Sequence, residues 1–139
     1  MEQAGKYNDK LNSLKAALED FDKSMQIDLS KENAVVRDAI ENGQVQKFEF
    51  TTELLWKTLR AYLLEIHGIE KNSPKFAIKE FLNVRDINEE IYSTLFDMID
   101  DRNLLSHTYS EKDFKVVHKK LPDYLQVLKR VLEILENIK

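Results

Sequence analysis

Apolar side chains recur at every third or fourth position along most of this chain, with charged residues filling the gaps. Over about 7–27 the series Leu11, Leu14, Leu18, Phe21 and Met25 marks one face of an amphipathic helix. Ser30 is placed to cap a second helix from Lys31, which Gly43 would break or bend. The stretch QVQKFEFTTELLWKTLRAYLLEIHG is the strongest helical pattern and stops at Gly68, a residue free to adopt the left-handed conformation of a helix end. A short helix follows in NSPKFAIKEFLNV, with Ser73 as cap and Pro74 at the first helical position. Asn88 opens NEEIYSTLFDMIDDRNLLS, and Ser110 with Asp113 three residues on forms a capping box for the last helix. Pro122 should kink or split that helix, because it removes a backbone donor and crowds the preceding turn. Beyond it Leu125, Leu128, Leu132, Leu135 and Ile138 form a clean stripe. Four to five long helices with short links predict an all-α, antiparallel up-and-down bundle.

Composition supports that reading. Three glycines and two prolines in 139 residues leave little material for turns. One domain over 1–139 is expected, long enough to bury roughly two-thirds of its unfolded surface. No apolar run reaches the roughly eighteen residues of a membrane span, and the first residues lack a signal-peptide pattern. With no cysteine, disulfides, thiolate metal sites and cysteine nucleophiles are excluded, and the cytoplasm is the expected compartment. The net charge of −4 argues against a general nucleic-acid coat and leaves room for a small local site or a basic partner.

Two polar lanes interrupt the pattern. In the helix opened by Asn88, Ile91, Leu95, Met98, Ile99 and Leu105 share a face, and Arg102 falls in its middle. Asn103 aligns with Tyr92, Phe96 and Ile99 at the edge of the same arc. An arginine at a stripe position must snorkel, pair with a carboxylate, bind an anion or face an interface. His107 lies five residues on, about 140° round a regular helix, so one helix does not aim both side chains at one point. Either the helix end distorts or a second copy completes the site. Asp97, Asp100 and Asp101 oppose the helix macrodipole and call for a cation, for which Arg102 is one candidate.

In the long helix, Phe48, Thr52, Leu55, Leu59, Leu63 and Ile66 form one stripe, and Phe50, Leu54, Ala61 and Leu64 a second. Glu49, Glu53 and Arg60 run between them beside Trp56, in a seam that two packed neighbours would partly enclose. Glu53 stands four residues before Lys57, which suits an intrahelical pair; otherwise Glu49 or Glu53 is a carboxylate for orienting Arg102. Lys112, Lys115 and Lys119 share a face after the motif, as a solvated surface or as steering for a phosphate backbone. His67 and His118 read as structural or incidental. The three histidines are too dispersed for a metal-ligand motif and there is no glycine-rich phosphate loop, so neither metal nor cofactor is expected.

The run RNLLSHTY at 102–109 resembles the Arg-x4-His-x-Tyr signature of HEPN-domain proteins. Together with KFEFTTELLWKTLRAYL at 47–63, it is similar to the small family paired with minimal nucleotidyltransferases, and the resemblance covers nearly the whole chain. That resemblance implies a HEPN-like bundle and a metal-independent endoribonuclease toxin acting as a homodimer on RNA. It further implies neutralisation by a minimal nucleotidyltransferase antitoxin. Arg102 would bind the scissile phosphate, His107 would move protons, and Asn103 would hold the phosphate or the imidazole. Tyr109 would be the tyrosine that the partner adenylylates. The alternative, carried by the older label of the same family, is a non-catalytic substrate-binding subunit of a two-component nucleotidyltransferase.

Overall fold

The computed structural model describes residues 2–85, 87–107 and 110–138, with side chains from Lys6 onward. Among the described residues there are five α-helices and no strand: α1 (Glu2–Met25), α2 (Ala34–His67), α3 (Pro74–Arg85), α4 (Glu89–Leu105) and α5 (Glu111–Glu136). The all-α bundle expected from the sequence is the observed architecture. Among the described residues no helix is long and apolar enough to cross a membrane.

Cross-helix pairs fix the directions. Gln44 Nε2 donates to the Ser24 carbonyl at 2.8 Å, Lys47 pairs with Asp20, and Thr58 Oγ1 donates to the Lys10 carbonyl at 3.3 Å. Rising positions on α2 thus meet falling positions on α1, an antiparallel hairpin. On α5, His118 bonds Gln44 at 2.7 Å and Tyr124 stacks on Phe48 with centroids 5.3 Å apart, so α5 runs alongside α2 in the same direction. α4 runs against α5, with Asp101 at Tyr124 and Asn88 and Ile91 beside Arg130 and Asn137, and so also against α2, which Arg102 meets at Glu53. The short α3 packs on α2 and α4.

The core is the union of the stripes. Phe21, Phe48, Leu55, Leu59, Leu63, Ile78, Phe81, Leu95, Met98 and Leu121 are all fully buried. Burial of each such side chain contributes on the order of 2 kcal/mol. Tyr62 joins α1 and α3 to this core, its ring 5.5 Å from that of Tyr7 and 5.8 Å from that of Phe81.

Helix boundaries follow local chemistry. Asn88 caps α4 by accepting from Ile91 N at 2.9 Å, and Ser110 and Asp113 form the reciprocal capping box of α5. Gly68 ends α2 with φ of 66°, a left-handed conformation that only glycine adopts without strain. Pro74 is the first residue of α3. One cap needs correction, and neither expected breaker divides its helix. Asn33, not Ser30, caps α2, because Ser30 sits in a single 3-10 turn (Leu29–Lys31) whose own cap is Asp28. α2 passes through Gly43 unbroken, since the glycine keeps a helical backbone and its preference for other conformations costs only about 1 kcal/mol against alanine. α5 likewise continues through the exposed Pro122 without splitting.

Candidate functional site

α4 brings its buried stripe, Ile91, Leu95, Met98, Ile99 and Leu105, against the core, and Arg102 emerges from the middle of it. The arginine does not stay unpaired. Its Nη2 lies 2.6 Å from Glu53 Oε2 on α2, with the two side chains about a third and a quarter exposed. Arg102 Nη1 also reaches Asn103 Oδ1 at 3.4 Å. Glu53 accepts Lys57 at 3.3 Å as well, so the intrahelical pair and the cross-helix pair share one carboxylate. Burial works to raise the Glu53 carboxyl. Hydrogen bonds from Trp56 and Lys57, with the positive charges of Arg102 and Lys57, outweigh burial and hold it below its usual range. Glu49, one turn earlier, moves the other way: desolvation raises its carboxyl, and the charge of Arg102 only partly compensates. Of the two candidate carboxylates it is therefore Glu53 that orients the guanidinium.

Asp101 is placed differently from Glu53. It is only 9% exposed and faces α5, where Tyr124 Oη donates to Asp101 Oδ2 at 2.5 Å and Lys120 Nζ approaches at 3.2 Å. Burial, reinforced by the hydrogen bond and charge of Asp101, pushes the Tyr124 hydroxyl far above its ordinary range. Asp100 pairs with Lys75 of α3 at 2.6 Å. The cations that answer the acidic end of α4 thus come from α3 and α5, whereas Arg102 turns to α2. Asp101 is a packing residue of the α4–α5 contact and has no described bond to Arg102.

His107 lies past the end of α4. Ser106 closes the helix, and the His107 amide donates to Leu104 at 3.3 Å in a tightened last turn. The imidazole is exposed, with no side-chain partner among the described residues. Tyr109 lies outside the described residues. Lys112, Lys115 and Lys119 do share one face of α5, lining a shallow cleft of about 360 Å³ with Glu111 and Val116. Lys115 is paired with Glu111 at 3.5 Å. No described hydrogen bond or ion pair joins these lysines to Arg102, Asn103 or His107.

The other histidines are structural. His67 bonds Tyr62 Oη at 2.9 Å. Gln44 spends its amide nitrogen on the Ser24 carbonyl, so its oxygen accepts, and His118 Nε2 carries the proton of their bond. The second apolar face of α2 is covered only in part among the described residues, where Leu54 and Ala61 pack against the core. Phe50 is 61% exposed, Leu54, Ala61 and Leu64 are half-buried, and Ile66 of the first stripe is also exposed.

Sequence reasoning missed a cleft between α3 and α4. Ser73, Pro74, Lys75, Phe76, Lys79, Tyr92, Phe96, Ile99 and Asn103 enclose about 570 Å³ there. Its α4 wall was legible as the 92, 96, 99, 103 line. Its α3 wall was signalled by Phe76, which stands off the face on which Ala77, Ile78 and Phe81 are buried.

Comparison with known proteins places this arrangement. The chain resembles a protein of Thermus thermophilus, known from its crystal structure, at 32% identity and a TM-score of 0.75; the match covers 88% of this chain and 98% of that one. No curated protein sequence matches significantly. The profile of the family described as nucleotidyltransferase substrate binding protein like matches residues 9–137, nearly the full length over which α1 to α5 extend. The chain belongs to the nucleotidyltransferase substrate binding protein-like family.

Proposed function

We propose that this chain is the non-catalytic, substrate-binding subunit of a two-component nucleotidyltransferase. Membership of the family supports the partnership. The observation that carries the non-catalytic part is the Glu53–Arg102 pair. A phosphate arriving at Arg102 would have to displace a carboxylate 2.6 Å away that Lys57 and Trp56 also hold in its ionised form. Such an arginine suits a folded scaffold better than a site poised to stabilise a developing oxyanion, where donors must wait unpaired. The test has two arms. Purified chain incubated with RNA in EDTA is expected to leave the RNA intact, and size-exclusion chromatography with the cognate nucleotidyltransferase is expected to give a stable complex. Cleavage by the wild-type chain that His107→Ala abolishes would overturn the non-catalytic reading, and failure to form the complex would overturn the partnership.

The exposed imidazole of His107, at the same helix end as Arg102 and Asn103, favours a second reading, the homodimeric ribonuclease. In it a second copy would draw Glu53 off Arg102. The guanidinium would then bind the scissile phosphate and Asn103 would steady it. His107 would take the proton of the ribose 2′-hydroxyl as that oxygen attacks phosphorus and the 5′-oxygen leaves. The nucleotidyltransferase would silence this chemistry by adding adenylate to Tyr109, beside the site, so ATP and magnesium should add that mass to wild type and not to Tyr109→Phe.

A further inference from the structure

A cleft of about 510 Å³ opens where the end of α3, the start of α4 and the last turns of α5 meet. Its polar lining is rich in donors. Arg85, the last residue of α3, is exposed and has no ion-pair partner among the described residues. Arg130 of α5 lines the same cleft, and its described partner is Glu133 at 3.6 Å, a pair with both side chains about two-thirds exposed. Such a pair is worth little against solvent and yields to a better acceptor. Asn88 spends its side-chain oxygen on the Ile91 amide at 2.9 Å, which leaves its own NH2 without a partner among the described residues. Ile87 and Ile91 are nearly buried and Ile134 half-buried, and all three contribute apolar wall. An arginine in the last turn of a helix complements the macrodipole, which accounts for Arg85 alone. It does not account for a second arginine and a free amide, from two other helices, at one apolar-walled cleft.

We infer that this cleft binds a small aliphatic carboxylate, its anion held by Arg85 and Arg130 and its hydrocarbon part against Ile87, Ile91 and Ile134. Charge sets the class. Two arginines and one glutamate line the cleft, so one positive charge is unanswered, which suits a monoanion better than a phosphate group carrying nearly two charges at neutral pH. Glu89 and Glu90 follow Asn88 on α4; they are exposed and outside the lining, and their charge makes a dianion costlier still. The planar fork of a guanidinium matches a carboxylate edge to edge, and the NH2 of Asn88 adds a neutral donor. The isoleucines select an anion with a hydrocarbon tail, since each methylene taken out of water strengthens binding about 4-fold. A neutral ligand would leave the unanswered charge as it is. The volume lies within the usual range for small-ligand sites. The carboxylate belongs either to a free acid or to the end of a peptide with an aliphatic last residue, and both present the same chemistry.

This site is separate from the Glu53–Arg102 pair. Asn88 and Arg102 stand fourteen residues apart on α4, about 21 Å along its axis, so the occupant does not depend on what Arg102 does. The test is a two-dimensional NMR titration of the full chain, reading backbone amides and arginine Nε–H groups at constant ionic strength. The probes are 4-methylpentanoate, 4-methylpentanamide, acetate and inorganic phosphate. 4-Methylpentanoate is expected to shift the Nε signals of Arg85 and Arg130 and the amides of Ile87 and Ile91 saturably, and the uncharged amide to leave them in place. Acetate, which lacks the hydrocarbon tail, is expected to bind at least 10-fold more weakly. Arg85→Gln, at an exposed position where the fold has little to lose, is expected to weaken 4-methylpentanoate about 10-fold without moving the melting temperature. Arg130→Gln, on a different helix and equally exposed, should weaken it as well and keeps the test decisive if the first variant proves less stable. Tighter binding of N-acetyl-alanyl-leucine, with its free carboxylate, than of 4-methylpentanoate would identify a peptide end as the source, and equal or weaker binding a free acid. Absence of saturable shifts with both carboxylates, an equal response to the uncharged amide, phosphate binding as tight as that of the acid, or unchanged affinity in both arginine variants would each overturn the assignment.

Discussion

Replacing Glu53 by glutamine separates a structural arginine pair from a ligand site. The variant keeps the shape of the side chain and removes the charge that Arg102 Nη2 meets at 2.6 Å. In bulk water such a contact is worth little, and in a dry interior its loss would cost several kcal/mol. Here both side chains remain about a quarter to a third exposed, so solvent screens the pair and keeps Arg102 hydrated after the change. The expected loss is about 1 kcal/mol, which for a chain of this length lowers the melting temperature by about 3–4 °C. A double-mutant cycle with Arg102→Ala isolates the interaction from the separate losses, and the coupling should again be about 1 kcal/mol, shrinking at high salt. Chemical denaturation followed by circular dichroism, at low and high salt, measures all four corners. Additive effects of the two substitutions would mean that the pair contributes nothing. A loss of about 4 kcal/mol or more would mean that Arg102 is held in an unsolvated interior. Either result refutes this balance of burial and screening.

Other outcomes follow from buried polar groups. Asp101→Asn weakens the charge-assisted bond from the nearly buried Tyr124 hydroxyl and should destabilise the fold by about 1–3 kcal/mol in urea unfolding; an unchanged midpoint would remove Asp101 from the α4–α5 contact. Thr52→Val should raise stability by about 1 kcal/mol, because the fully buried Thr52 hydroxyl has no hydrogen-bond partner among the described residues and valine fills the same space; destabilisation would mean that the hydroxyl is satisfied after all. Burial pushes the Tyr7 hydroxyl up to about 12 and Tyr124 further. The unfolded chain therefore releases these protons near pH 10 while the fold retains them. Stability present below pH 10 is lost as pH rises above it, by at most about 1.4 kcal/mol per pH unit for each tyrosine. Unfolding midpoints measured from pH 8 to 12 should fall for wild type and fall less steeply in Tyr7→Phe, where Tyr124 still contributes.

Much of this molecule was readable without coordinates. The 3.6-residue recurrence fixed which faces are buried, because each helix must hide its apolar stripe whatever its neighbour is. Caps at Asn88 and Ser110 and the stop at Gly68 were equally local, since each satisfies backbone groups within one turn. The misplaced polarity of Arg102 was visible for the same reason. The choice of partner was not. Glu49 and Glu53 look alike in a list of residues, and only the approach of α4 to α2 brought Glu53 to the guanidinium and left Glu49 desolvated. Asp101 met Tyr124 and Lys120, and Asp100 met Lys75, through helix packing that no spacing within α4 encodes. Whether Gly43 or Pro122 divides a helix is likewise not local: the cost of each is confined to one turn, whereas the packing that keeps α2 and α5 continuous is spread along the bundle. Helices, their buried faces and the anomalous arginine are all set by interactions within a few residues, which is why they can be read along the chain. Which carboxylate holds that arginine, and that α3 meets α4 around an open aromatic cleft, was settled only by the packing of the bundle, because both depend on residues far apart in the chain being brought within a few ångströms.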